Sequence, residues 1–202
     1  MNLTKKTGRN LRIVLALAMA LLLPVAAAAA PKNAEAQKFF ERRLIQTWVE
    51  GMAIDELVLG ARGKLTFLYV DARMGAAIQK LGTSAGDGMP AETAKYLLNY
   101  TGNYGRKKGW TLFTVSVEAF KHWSFETAEL SVAGYRPTDD DLVTGVVGDR
   151  RYEISPGVNE LPADYAGMLS FYVPTDRLKP GTEIEVGYGE YTTTWKVPGK
   201  NE

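Results

Sequence analysis

Arg177 to Pro198, RLKPGTEIEVGYGEYTTTWKVP, is the stretch whose reading decides the fold. Ile184, Val186 and Tyr188 alternate with Glu183, Glu185 and Gly187, and Tyr191, Thr193, Trp195 and Val197 continue the rhythm. A period of two puts one set of side chains on a buried face and the other in water, as antiparallel sheets do. Gly189 stands first in the two-residue loop of YGEY, which suits a type II′ hairpin turn.

The same rhythm extends back to Trp110. Phe113, Val115, Val117 and Ala119 form one alternating set, Ala128, Leu130 and Val132 a second, and Leu169, Phe171 and Val173 a third. Weaker strands are expected over 142–147 and 151–154. Short strands separated by turn signals point to a β-sandwich. LKPGTEI, Leu178 to Ile184, resembles the E–F corner of fibronectin type III and related immunoglobulin-like domains, where Leu-x-Pro-Gly-Thr-x-Tyr is common. In that family the tyrosine hydroxyl bonds back to the corner's backbone. Ile184 stands at that position, and ETAELSVAGY lacks the tryptophan such a family often buries. The resemblance implies an immunoglobulin-like sandwich and nothing about catalysis, because such a scaffold hosts many functions.

Before Trp110 the spacing changes. Phe40, Leu44, Trp48 and Met52 recur every four residues, flanked by Ile45, Val49 and Ala53, which predicts a helix from Ala34 to Leu59 ended by GARG. Leu65, Phe67 and Tyr69 alternate like a strand, but Val70, Met74, Ala77, Ile78 and Leu81 follow helical spacing, so a helix is expected over 71–81. GTSAGDGMP reads as a loop, and Pro90 opens a further helix closed by Gly102. The expected fold class is α+β: a helical region over 31–105, then an antiparallel immunoglobulin-like β-sandwich over 106–202.

Residues 1–30 read as a signal peptide. Lys5, Lys6, Arg9 and Arg12 precede an apolar run from Ile13 to Leu23, then Pro24 and the small residues VAAAAAP. An uncleaved anchor is the competing reading, since Ile13 to Ala30 is just long enough to span, but alanines are weakly apolar. Without residues 1–30 the 24 cations fall by four to 20 against 23 acids, a net charge of −3. That balance gives no long-range pull on nucleic acid. With no cysteine there is no lipid-anchoring cysteine, disulfide, thiolate metal site or cysteine nucleophile. Export without cysteine suits a bacterial periplasm or exterior, with no membrane span once the signal is removed.

Catalytic constellations are hard to find. His122, the only histidine, sits in FKHWSF between two expected strands, where a turn or surface role is the simpler reading. Asp139, Asp140 and Asp141, with Asp149 beyond, supply the oxygen ligands calcium takes, but without EF-hand spacing, and a solvated loop is the simpler account. No other cofactor is implied. GTSAGDG lacks the ending of either nucleotide-binding motif.

The richest surface is YTGNYGRKKGW, where Tyr100, Tyr104 and Trp110 surround Arg106, Lys107 and Lys108. Flat rings stack on sugars while cations grip anions, so these six residues form a candidate site for an anionic glycan or peptide. The bland alternative is a solvated linker. The expected function is an exported, non-catalytic binding or interaction module of the bacterial envelope, its partner a protein or glycan. A carboxylate-dependent hydrolase acting on glycan and a structural subunit assembling through sheet edges are the alternatives.

Overall fold

The computed structural model describes Phe39 and residues 41–54, 57–74, 107–143 and 154–199. The alternating segments beyond Trp110 form strands, except that Ala128 lies in the 3-10 turn Thr127–Glu129. The strands there are β5 (Trp110–Ala119), β6 (Trp123–Glu126), β7 (Leu130–Val132), β8 (Leu142–Val143), β9 (Val158–Leu161), β10 (Tyr165–Pro174), β11 (Glu183–Tyr188) and β12 (Tyr191–Lys196). Of the weaker strands expected over 142–147 and 151–154, Leu142–Val143 is formed, Ile154 is outside any strand, and 144–153 lie outside the described residues. The β11–β12 hairpin turns at Gly189, whose φ is 56° while Glu190 stays at negative φ, as a type II′ turn requires.

Of the helix expected from Ala34 to Leu59, Phe39 and Glu41 are in helical conformation, but from Leu44 onward the expectation is corrected. Leu44–Val49 is β1, Met52–Ile54 is β2 and Leu57–Leu59 is β3. Gly63–Val70 is β4, and only Ala72–Met74 of the helix expected over 71–81 lies among the described residues, in helical conformation. The loop and helix expected over 82–102 lie outside them. The four-residue stripe misled for a physical reason. β1 carries Ile45 and Val49 into the core and Leu44 and Trp48 on its other side, so two apolar faces read together mimic one helical stripe. Thr47 hides the true period because its polar side chain is buried, bonded to the Val186 carbonyl and the Thr193 hydroxyl.

Five strands make the main sheet in the order β1-β4-β5-β10-β8, every pair antiparallel. β4 pairs with β5 from Gly63↔Ala119 to Val70↔Leu112, so strands before residue 70 and after residue 110 share one sheet. A second sheet runs β12-β11-β7, with two-stranded pairs β2–β3 and β6–β9 beside them. Leu65, Phe67, Phe113, Val115, Phe171 and Val173 of the main sheet pack with Leu130, Val132, Val186 and Trp195 of the second in one buried cluster. The facing sheets make a β-sandwich-like arrangement with a buried apolar interior. Side chains lace its open corner: Thr193 Oγ1 donates to the Gln46 carbonyl and Trp195 Nε1 to the Arg42 carbonyl. At the turn between β10 and β11, Leu178 is buried, Gly181 takes φ 81° and the Thr182 hydroxyl donates to the Lys179 carbonyl.

The main sheet's other face is also largely buried. Val70, Leu112, Val143 and Tyr172 gather there with Met74, and Phe39, Leu68, Trp110 and Met168 pack against them. Buried Arg43 is held by Asp71 at 2.8 Å, by the Phe39 carbonyl, and under the Phe39 ring. At the far end of the same face, Lys64 and Glu118 meet at 3.1 Å with side chains only 11% and 9% exposed.

Candidate functional site

The site begins at a turn. Lys107 accepts from Trp110 N at 3.0 Å, and Gly109 takes φ 80°, the positive value a type II turn needs at its third residue. The Gly109 carbonyl in turn accepts from Thr175 N, fixing the turn against the end of β10. So held, the Lys107 ammonium lies 4.0 Å from the Trp110 ring centroid and 5.3 Å from that of Tyr172. Both rings stand on the face of the main sheet away from the sandwich interior.

Tyr135 arrives from the second sheet. Val132 and Tyr135 exchange both backbone hydrogen bonds around Ala133 and Gly134, each at positive φ, which is a type I′ turn. The turn brings the Tyr135 ring edge-on to Trp110 at 6.1 Å, with the Arg177 guanidinium 5.6 Å from its centre. Asp141 closes the group. Its Oδ2 accepts from the Tyr135 hydroxyl at 2.5 Å, from Thr138 N at 2.9 Å and from Thr138 Oγ1 at 2.8 Å. Its Oδ1 lies 4.0 Å from Lys107 Nζ.

Burial alone would raise the Asp141 pKa, but the three hydrogen bonds and the Lys107 charge outweigh it and hold the carboxyl below its ordinary value. Tyr135 moves the other way, pushed up to about 12 by desolvation first and by its bond to the Asp141 carboxylate second. At neutral pH the corner therefore holds a carboxylate, a protonated phenol and two cations against aromatic faces.

Of the six residues expected to bind, Lys107 and Trp110 converge here and Lys108 is exposed beside them. Tyr100, Tyr104 and Arg106 lie outside the described residues. Asp139 and Asp140 are exposed while Asp141 is buried, so the acidic run divides, and Asp141 spends its carboxylate on Tyr135, Thr138 and Lys107. Among the described residues no group of three or more His, Cys, Asp or Glu is placed to hold a metal ion. His122 sits on the turn between β5 and β6, 71% exposed and 3.2 Å from Glu160.

Sequence reading missed Tyr135, Tyr172 and Arg177, which join the site only through long-range pairing. One local signal was present: Thr138 three residues before Asp141 is a capping-box spacing, and the structure forms that box. A shallow concavity of about 320 Å³ among the described residues is lined by Glu41, Arg42, Trp195, Lys196 and Pro198. No helix among the described residues is long and apolar enough to cross a membrane.

The fold and corner define a β-rich protein of facing antiparallel sheets with an aromatic and cationic cluster at one end. No family model, curated protein or solved structure matches the chain.

Proposed function

We propose that this is an exported, non-catalytic binding module of the bacterial envelope, built on an immunoglobulin-like scaffold, that holds an acidic group of a protein or glycan at the Lys107 corner. The carrying observation is the Lys107 ammonium, set against the Trp110 and Tyr172 rings and loosely paired with Asp141 at 4.0 Å, its side chain 43% exposed. A cation pre-placed on aromatic faces loses little rotamer freedom when a ligand anion arrives. The 4.0 Å contact with Asp141 is long for a charge-assisted bond, so an incoming carboxylate can displace it at small cost. Export is supported by the cationic, apolar and small-residue order of the first 30 residues.

The test is a binding titration of the mature chain with polygalacturonate and with poly-glutamate as defined acidic probes. Binding to one of them is expected, weakened about tenfold or more in Lys107→Ala and Trp110→Ala variants that keep wild-type circular dichroism. Equal binding by wild type and both variants contradicts the reading. Release of new reducing ends from the glycan would instead favour the carboxylate hydrolase.

A further inference from the structure

The opposite end of β5 carries a second aromatic feature that the Lys107 corner does not use. Trp48 on β1 and Phe120 just beyond β5 stand on the main sheet's outer face and stack at 5.9 Å with 27° between their planes. Phe120 is 41% exposed, an uncommon placement for a phenyl ring, and Trp48 is partly exposed. Gln46, on the same face two residues before Trp48, is exposed and offers both an amide donor and an acceptor.

The charges around these rings are matched in sign. Lys64 lies 5.6 Å over the Trp48 ring and pairs with Glu118 at 3.1 Å. Arg62 pairs with Glu50 at 2.7 Å and His122 with Glu160 at 3.2 Å, while Lys121 donates to the Gly60 carbonyl. Glu50, Glu118 and Glu160 stand against Arg62, Lys64 and Lys121, with His122 adding a charge only when protonated, so neither an acidic ligand nor an anionic lipid surface finds a large positive field here. Exposed rings fringed by mixed donors and acceptors suit a ligand with apolar C–H faces and hydroxyls that both give and accept hydrogen bonds.

We propose that the Trp48–Phe120 surface is a binding site for an uncharged glycan, separate from the acidic-ligand corner at Lys107. A pyranose ring lies on the aromatic pair, and its hydroxyls meet Gln46 and the partly exposed Glu50–Arg62 pair. The two sites occupy opposite ends of β5, and this one stands whether or not the Lys107 corner binds.

Calorimetric titration of the mature chain with cellohexaose and with chitohexaose, at low and at high salt, tests it. Saturable binding to at least one hexasaccharide is expected, unchanged by salt because no counterions are released. Trp48→Ala and Phe120→Ala should each weaken it about three- to tenfold, while Lys107→Ala leaves it alone. Should Trp48→Ala fail to fold, Phe120→Ser on the exposed turn carries the test. Absence of binding to both hexasaccharides overturns the proposal. So does capture by phosphatidylglycerol vesicles that Phe120→Ser abolishes, which would make the surface a lipid contact.

Discussion

Replacing Glu118 with Gln tests whether the main sheet is covered on both faces. Lys64 and Glu118 stand directly opposite on adjacent central strands, 3.1 Å apart, with side chains 11% and 9% exposed. With an effective dielectric of about 20, Coulomb's law gives about 5 kcal/mol of attraction at that distance before desolvation is charged against it. Removing the carboxylate leaves the ammonium desolvated without its counter-charge, which for buried pairs costs about 3–5 kcal/mol. The residual exposure of both groups moves the expectation for Glu118→Gln to the lower end, about 3 kcal/mol. Converting both residues together, Lys64→Met with Glu118→Leu, removes the desolvated charges and should restore most of that loss. Urea unfolding followed by tryptophan fluorescence measures both. A loss under about 1 kcal/mol for Glu118→Gln would show a pair screened like a surface salt bridge, and the burial argument for this face would fail.

Phe113 packs against Tyr69, Phe171 and Trp195 in the sandwich interior, so Phe113→Ala should cost about 3–5 kcal/mol in the same urea assay. Asp141→Asn should destabilise most at neutral pH. Because the folded carboxyl is held below its unfolded value, its contribution is fully present above about pH 4 and fades as pH falls through the folded value, so thermal midpoints of wild type and variant should converge in acid. Gly187→Ala would set a Cβ against the Tyr191 carbonyl oxygen and 2.8 Å from Thr192 Cα, backbone atoms that cannot swing aside. It should lower the melting temperature sharply or abolish expression of folded protein.

How much of this was legible in the sequence depended on how many faces each strand buries. β11 and β12 have one wet face, where Glu183, Glu185, Thr192 and Thr194 alternate with core residues, and period two was plain. β4 is buried or nearly so at every position, so Lys64, Thr66, Leu68 and Val70 on its second face obscured the alternation of Leu65, Phe67 and Tyr69. β1 failed for the related reason that Thr47 is polar inside and Trp48 aromatic outside. The short strands β6 and β9 owe their existence to each other and gave too few residues for a period. At the site, KKGW announced its turn and ring locally, whereas Tyr172 comes from β10 and Tyr135 from the turn after β7 in the other sheet. Only the register of those sheets brings them together.

The pairing of β1 with β4 and of β4 with β5 builds the main sheet and brings Trp48 to Phe120, and isotope-labelled NMR of the mature chain examines it directly. Strand-type Cα and Cβ shifts at Leu44–Val49 and Gly63–Val70, with cross-strand contacts between Thr66 and Ser116 and between Gln46 and Thr66, are the expected result. Helical shifts through Leu44–Leu59, with no contact to β5, would contradict the account.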